Sequence, residues 1–126
     1  MSTISHMNQL PDQAIERVAT YFQALAEPTR LRILNLLREQ EHNVGELAEV
    51  CGYTAANMSR HLAVLMQQGF VKREGRGTSV YYQIADPTIY ALCDLVCNRI
   101  TQQHTEQTWP TVIAPKKRSV MTRRVA

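Results

Sequence analysis

The stretch Val44-Gly45-Glu46-Leu47-Ala48-Glu49-Val50-Cys51-Gly52-Tyr53-Thr54-Ala55-Ala56-Asn57-Met58-Ser59-Arg60-His61-Leu62-Ala63-Val64-Leu65 decides the fold. Val44, Leu47, Ala48 and Val50 mark a short helix. Cys51-Gly52 ends it, because glycine suits the left-handed position that follows a helix. Thr54 then reads as the N-cap of a second helix, over residues 55–68, with Met58, Leu62 and Leu65 on its inner face. Gly69 closes that helix. A short helix, a tight turn and a second helix make a helix-turn-helix.

Beyond Gly69 the period changes from helix to strand. Phe70-Val71-Lys72-Arg73-Glu74 and Ser79-Val80-Tyr81-Tyr82-Gln83-Ile84 are β-rich runs joined by Gly75-Arg76-Gly77-Thr78. A glycine-bearing connection between two such runs predicts a hairpin, which here would be a wing. Asp86-Pro87 opens a last helix over 88–103, with Ile89, Leu92, Val96 and Ile100 joined by Cys93 and Cys97. Upstream, Ile15, Val18, Phe22 and Leu25 share one face of a helix over 12–26. Glu27-Pro28 breaks it, because a residue before proline avoids the α region. In the next helix, over 29–39, Leu31, Leu34 and Leu37 form a stripe thickened by Ile33 and Leu36, which predicts near-complete burial. The sequence holds no internal repeat. The fold class expected is mainly α with a small β-hairpin, a winged helix-turn-helix over 12–104, with a flexible start at 1–11 and a flexible basic tail at 105–126.

The chain has 126 residues, 44% apolar and 20% charged, an ordinary balance for one globular domain. No stretch approaches the roughly 18 apolar residues of a membrane span, and no secretory signal opens the chain, so a cytoplasmic protein is expected. Three cysteines argue against a disulfide framework and toward metal or redox chemistry. The net charge of +3 is unevenly placed. From residue 105 onward there are five cations and one acid, leaving residues 1–104 at −1. Within 54–82, however, Arg60, Lys72, Arg73 and Arg76 face only Glu74, a local +3.

That cluster suits nucleic acid. The second helix of the helix-turn-helix can enter a major groove, about 12 Å wide. Its outward residues include Thr54, Asn57, Ser59, Arg60 and His61, and the wing adds Lys72, Arg73 and Arg76. Asparagine can read adenine edges, arginine can read guanine or grip phosphate, and hydroxyls can bond either. The partner expected is double-stranded operator DNA. An enzyme finds no support: there is no phosphate-cradling glycine loop, no nucleophile–base pair and no paired acids in a plausible pocket. A winged-helix module that docks protein is the alternative of another class.

Several runs together resemble the ArsR/SmtB metal-responsive repressors. They are Glu27-Pro28-Thr29-Arg30-Leu31-Arg32-Ile33-Leu34-Asn35-Leu36-Leu37, Val44-Gly45-Glu46-Leu47-Ala48, Met58-Ser59-Arg60-His61-Leu62-Ala63-Val64-Leu65, Gly69-Phe70-Val71-Lys72-Arg73-Glu74-Gly75-Arg76-Gly77 and Val80-Tyr81-Tyr82-Gln83-Ile84. The resemblance covers roughly residues 12–104. It implies a homodimeric repressor, paired through its first and last helices, that leaves its operator when an inducer binds.

The resemblance also implies where inducers sit, and this chain departs from several such sites. A cysteine pair opening the third helix is replaced by Asn43-Val44-Gly45. A zinc site on the last helix needs a histidine where Val96 stands, and His104 and Glu106 do not restore the spacing, so zinc fits less well. A persulfide-sensing pair needs a cysteine where Asn35 stands. What remains is Cys93 and Cys97, one helical turn apart, whose thiolates can converge on a soft ion. Members of the resembled family use last-helix cysteines for As(III) or Sb(III), and Cys51 or an external thiol would supply a third ligand. Simple packing also accounts for cysteines on an apolar stripe. A thiol-redox repressor of the same fold is the rival within the class, although four-residue helical spacing strains a mutual disulfide.

Overall fold

The computed structural model describes residues 7–103. After a 3-10 turn at Met7–Gln9 come α1 (Asp12–Leu25), α2 (Pro28–Glu39), β1 (His42–Asn43), α3 (Val44–Cys51), α4 (Ala55–Gln67), β2 (Val71–Arg76), β3 (Ser79–Ile84) and α5 (Ile89–Gln103). The described residues fall into two compact units, one ending at Ala85 and the other starting at Asp86.

In the first unit α2, α3 and α4 pack on one another and on the sheet. Ile33 and Leu34 of α2, Leu47 of α3, Met58, Leu62 and Leu65 of α4, and Phe70 are essentially removed from solvent. Burial of each such side chain stabilises by about 1.5–3 kcal/mol, which holds α4 firmly by its inner face. Tyr21 of α1 meets Phe70 edge-on, with ring centroids 4.7 Å apart. Two expectations need correction. Leu31 lies outside the core at 43% exposure, so α2 is not buried all round. On α1, Ile15 and Phe22 are exposed while Leu25 is buried, so most of that apolar stripe finds no cover within one chain.

Side chains fix the ends of the helices. Asn43 and Glu46 form a reciprocal capping box on α3: Asn43 Oδ1 accepts from the Glu46 amide at 2.8 Å, and Glu46 Oε1 accepts from the Asn43 amide at 3.1 Å. Gly52 ends α3 at φ 74°, a left-handed conformation that a Cβ would strain. The Thr54 hydroxyl oxygen caps α4 by accepting from the Asn57 amide at 3.1 Å. Pro28 opens α2 behind Glu27, whose carboxylate accepts from the Arg30 amide.

The sheet is antiparallel, in the order β1-β3-β2. The hairpin turns on Gly77-Thr78, because β2 continues through Gly75 and Arg76, which were expected in the loop. β1 was not expected at all. It is two residues long, too short for any periodicity, and pairs His42 with Tyr82 and Asn43 with Tyr81.

In the second unit, Asp86 Oδ1 accepts from the Thr88 amide and hydroxyl just ahead of α5. Those bonds hold its carboxyl below the usual range. Ile89 is buried, Leu92, Cys93 and Ile100 are half-buried, and Leu95 and Val96 are exposed.

Candidate nucleic-acid interface

The α3–turn–α4 arrangement leaves one face of α4 uncovered, and that face begins at its capped N-terminus. Burial of Met58, Leu62 and Leu65 turns Asn57, Ser59 and Arg60 outward, and all three are exposed. Arg60 Nη1 reaches Asn57 Oδ1 at 3.5 Å, the outer limit of a hydrogen bond, so both groups can exchange partners easily. Thr54 is exposed too, but its oxygen already serves the cap.

His61 stands elsewhere. It lies three residues past buried Met58, on the flank of the inner face, and its side chain is only 18% exposed. Its Nδ1 is 3.2 Å from Arg30 Nη1 and 3.8 Å from Glu27 Oε1. The Tyr53 ring lies 5.8 Å away, centroid to centroid, and the Tyr53 hydroxyl accepts from Thr29 Oγ1 at 2.8 Å. The sequence pattern marked His61 as a groove-facing residue and gave no sign of Arg30.

On the wing, Lys72 and Arg73 are exposed. Strand alternation puts Lys72, Glu74 and Arg76 on one face of β2 and Arg73 on the other, so the local +3 is not a single surface. Arg76 is held by its own chain. It bridges Glu41 through both guanidinium nitrogens, with Nη2 at 2.8 Å from Oε1, and donates to Glu74 Oε1 at 2.9 Å. Its guanidinium also lies 4.9 Å from the Tyr81 ring centre, within cation–π range. Gln83 Nε2 donates to the same Glu41 and Glu74 carboxylates at 2.8 and 3.1 Å. These bonds lower the Glu41 carboxyl to about 2, the Arg76 bond contributing most, and lower Glu74 for the same first reason. Arg76 is raised in turn. Sequence reasoning missed Glu41 and Gln83, which lie far from Arg76 along the chain.

The cysteines divide by environment. Cys97 is exposed, and Cys93, one turn earlier on α5, is half-buried. Cys51, the last residue of α3, is half-buried, and burial pushes its thiol up against the opposing pull of Arg32. Among the described residues, no group of three or more His, Cys, Asp or Glu is placed to hold a metal ion. His104, Glu106 and the basic stretch 105–126 lie outside the described residues.

Helices α3 and α4, the turn between them and the β2–β3 hairpin define a winged helix-turn-helix domain. Residues 27–73 match the family described as bacterial regulatory protein, arsR family. The HTH-type transcriptional regulator Rv0081 of Mycobacterium tuberculosis is 41% identical over 75 residues, 59% of this chain and 66% of that protein. Its crystal structure superposes with a TM-score of 0.66 at 31% identity, covering 90% of this chain and 97% of that one. The transcriptional repressor SmtB homolog of Synechocystis is 35% identical over 91 residues, 72% of this chain and 68% of that protein. The homodimeric winged helix-turn-helix DNA-binding domain Mb0332 of Mycobacterium bovis has a TM-score of 0.65 at 30% identity, covering 87% of this chain and 98% of that one. This chain belongs to the arsR family of bacterial regulatory proteins, a family of regulators and not of enzymes. It matches about two thirds of the length of these curated relatives. Among the described residues no helix is long and apolar enough to cross a membrane.

Proposed function

We propose that the protein is a homodimeric transcriptional repressor acting in the cytoplasm, with α4 reading the major groove of operator DNA. The observation that carries this reading is α4 itself. Its apolar face is buried to completion, while Asn57, Ser59 and Arg60 stand exposed beside its capped N-terminus. Lys72 and Arg73 add phosphate contacts from the wing. Exposed apolar side chains on α1 (Ile15, Phe22) and α5 (Leu95, Val96) support a dimer, since a single chain leaves them in water. Loss of duplex binding in Arg60→Ala, together with salt-dependent binding of the wild type, tests the DNA reading. Unchanged binding in the variant would favour a protein-docking module.

The inducer in this reading is a soft metalloid, As(III) or Sb(III), held by Cys93 and Cys97. Exposure of Cys97 supports it, because packing within its own chain does not account for that residue. Helical spacing brings the two Cβ atoms to about 5–6 Å. A third thiolate must come from Cys51 or an external thiol, and half-buried Cys51 with its raised thiol is the poorer nucleophile. Release then follows from higher inducer affinity for a dimer shape that fits DNA poorly. A coupling of about 1–3 kcal/mol lowers DNA affinity some 5–150-fold. Gel-shift titration with arsenite and antimonite tests this. A complex that survives both, or a Cys93→Ser/Cys97→Ser protein that responds as the wild type does, refutes the metalloid. Release by peroxide or persulfide instead would point to the thiol-redox rival.

A further inference from the structure

The groups around His61 tie three elements together. Arg30 Nε donates to Ala24 O at 2.7 Å and Nη2 to Gln23 O at 3.2 Å, so the guanidinium holds the last carbonyls of α1. Its remaining nitrogen, Nη1, lies 3.2 Å from His61 Nδ1 on α4. One side chain of α2 therefore bonds α1 and the candidate reading helix at once. An arginine can only donate, so His61 Nδ1 must accept. The ring is then neutral, with its proton on Nε2, and that assignment follows from the partner alone.

We propose that Arg30 and His61 form a strut that sets the angle of α4 against the C-terminal end of α1, making His61 a positioning residue for DNA reading. The inference rests on the reading of α4 as the recognition helix. Through the strut, any shift of α1 is felt by the helix that carries Asn57, Ser59 and Arg60. The strut also has a second setting. A proton on Nδ1 removes the acceptor and sets two cations side by side, while Glu27 Oε1, 3.8 Å away, becomes the better partner. Among the described residues, the charged and titratable groups facing the ring are Arg30, Glu27 and Tyr53, with Arg60 beside it on α4.

The test uses the full chain and a duplex that the wild type selects from a random-sequence pool, with a scrambled duplex for reference. Two variants separate position from contact. His61→Phe keeps a ring and removes the acceptor. His61→Asn returns an oxygen close to the place of Nδ1. His61→Phe is expected to weaken specific binding about tenfold, the size of one charge-assisted hydrogen bond, with the salt slope unchanged. His61→Asn should bind within about twofold of the wild type, since it restores the acceptor. Acidification from about pH 8 to 5.5, across the histidine range, should weaken wild-type binding more than that of His61→Asn. A histidine that touched phosphate directly would strengthen binding on acidification instead.

Wild-type affinity in His61→Phe overturns the strut, as does a salt slope reduced by about 0.9, the mark of a lost phosphate contact. A folded His61→Asn that binds as poorly as His61→Phe overturns it too. Should His61→Phe fail to fold, the pH profiles decide: identical profiles for the wild type and His61→Asn refute the strut. If the wild type selects no duplex, or Arg60→Ala binds unchanged, the recognition reading fails and takes the strut with it. Failure of the His61 arms alone leaves that reading standing.

Discussion

The Glu41–Arg76–Glu74 clamp makes a quantitative claim about which cations meet DNA. Arg60 points outward with only a long bond to Asn57, whereas Arg76 is bridged by two carboxylates and stacked near Tyr81. Each phosphate neutralised contributes about 0.9 to the slope of log K against log salt on duplex DNA. If Arg60 meets a phosphate in each half of a dimer, Arg60→Ala should flatten the slope by about 1.8. Arg76→Ala should change it by less than half as much, because the clamped guanidinium releases few counterions. Its affinity should still fall at low salt, since two carboxylates are then left facing the phosphates. Glu41→Gln should act in the opposite sense. It lifts one negative charge from the clamp and loosens Arg76, so the slope should steepen. Fluorescence anisotropy with a labelled duplex between 50 and 300 mM salt measures all three. An Arg76→Ala slope that falls as far as that of Arg60→Ala would refute the reasoning, for the clamp would then open on DNA and Arg76 would be a phosphate contact.

Three further outcomes follow from the same geometry. The folded Glu41 carboxyl is depressed to about 2, so its contribution to stability is complete above its ordinary value of 4.5 and fades as pH falls from there toward 2. Melting temperatures over that range should drop less in Glu41→Gln than in the wild type. Leu62 is fully buried on the inner face of α4, and Leu62→Ala should lose about 2–5 kcal/mol in urea unfolding. A loss under 1 kcal/mol would mean the α4 core is looser than described. Limited alkylation at pH 8 followed by mass spectrometry should label exposed Cys97 before half-buried Cys51, whose thiol is raised. The reverse order would contradict their environments.

Local pattern revealed the helices and the hairpin. The α4 stripe of Met58, Leu62 and Leu65, the glycine at 52 and the cap at Thr54 each act within a few residues, and each stands where the sequence put it. The capping box of α3 was also there to be read, in Asn43 followed three residues later by Glu46. What stayed hidden needs partners far apart in the chain. Glu41 meets Arg76 across 35 positions, and Arg30 meets His61 across 31. No periodicity encodes such pairs, and β1 is too brief to have one. His61 shows the cost most clearly. Its residue type and its place beside Arg60 suggested DNA, but one turn from Met58 it lies against α2. Outward-facing Leu31, Ile15 and Phe22 show the same limit, since a stripe declares a buried face without saying what buries it.

The capping box has a consequence for retrofitting a different sensor. Residues 43 and 45 stand where the resembled repressors carry their cysteine pair at the start of α3. A Cβ at Gly45 would meet only Asn43 Oδ1, at 3.4 Å, so a cysteine there is a modest steric demand. Asn43 is another matter. Its side chain and that of Glu46 close the first turn of α3, and loss of such a cap destabilises by about 0.5–2 kcal/mol. Grafting the pair would therefore leave the helix ahead of α4 frayed until an ion arrived. The same position can carry a cap or a ligand, and in this chain the opening of α3 is set permanently and does not wait on an effector.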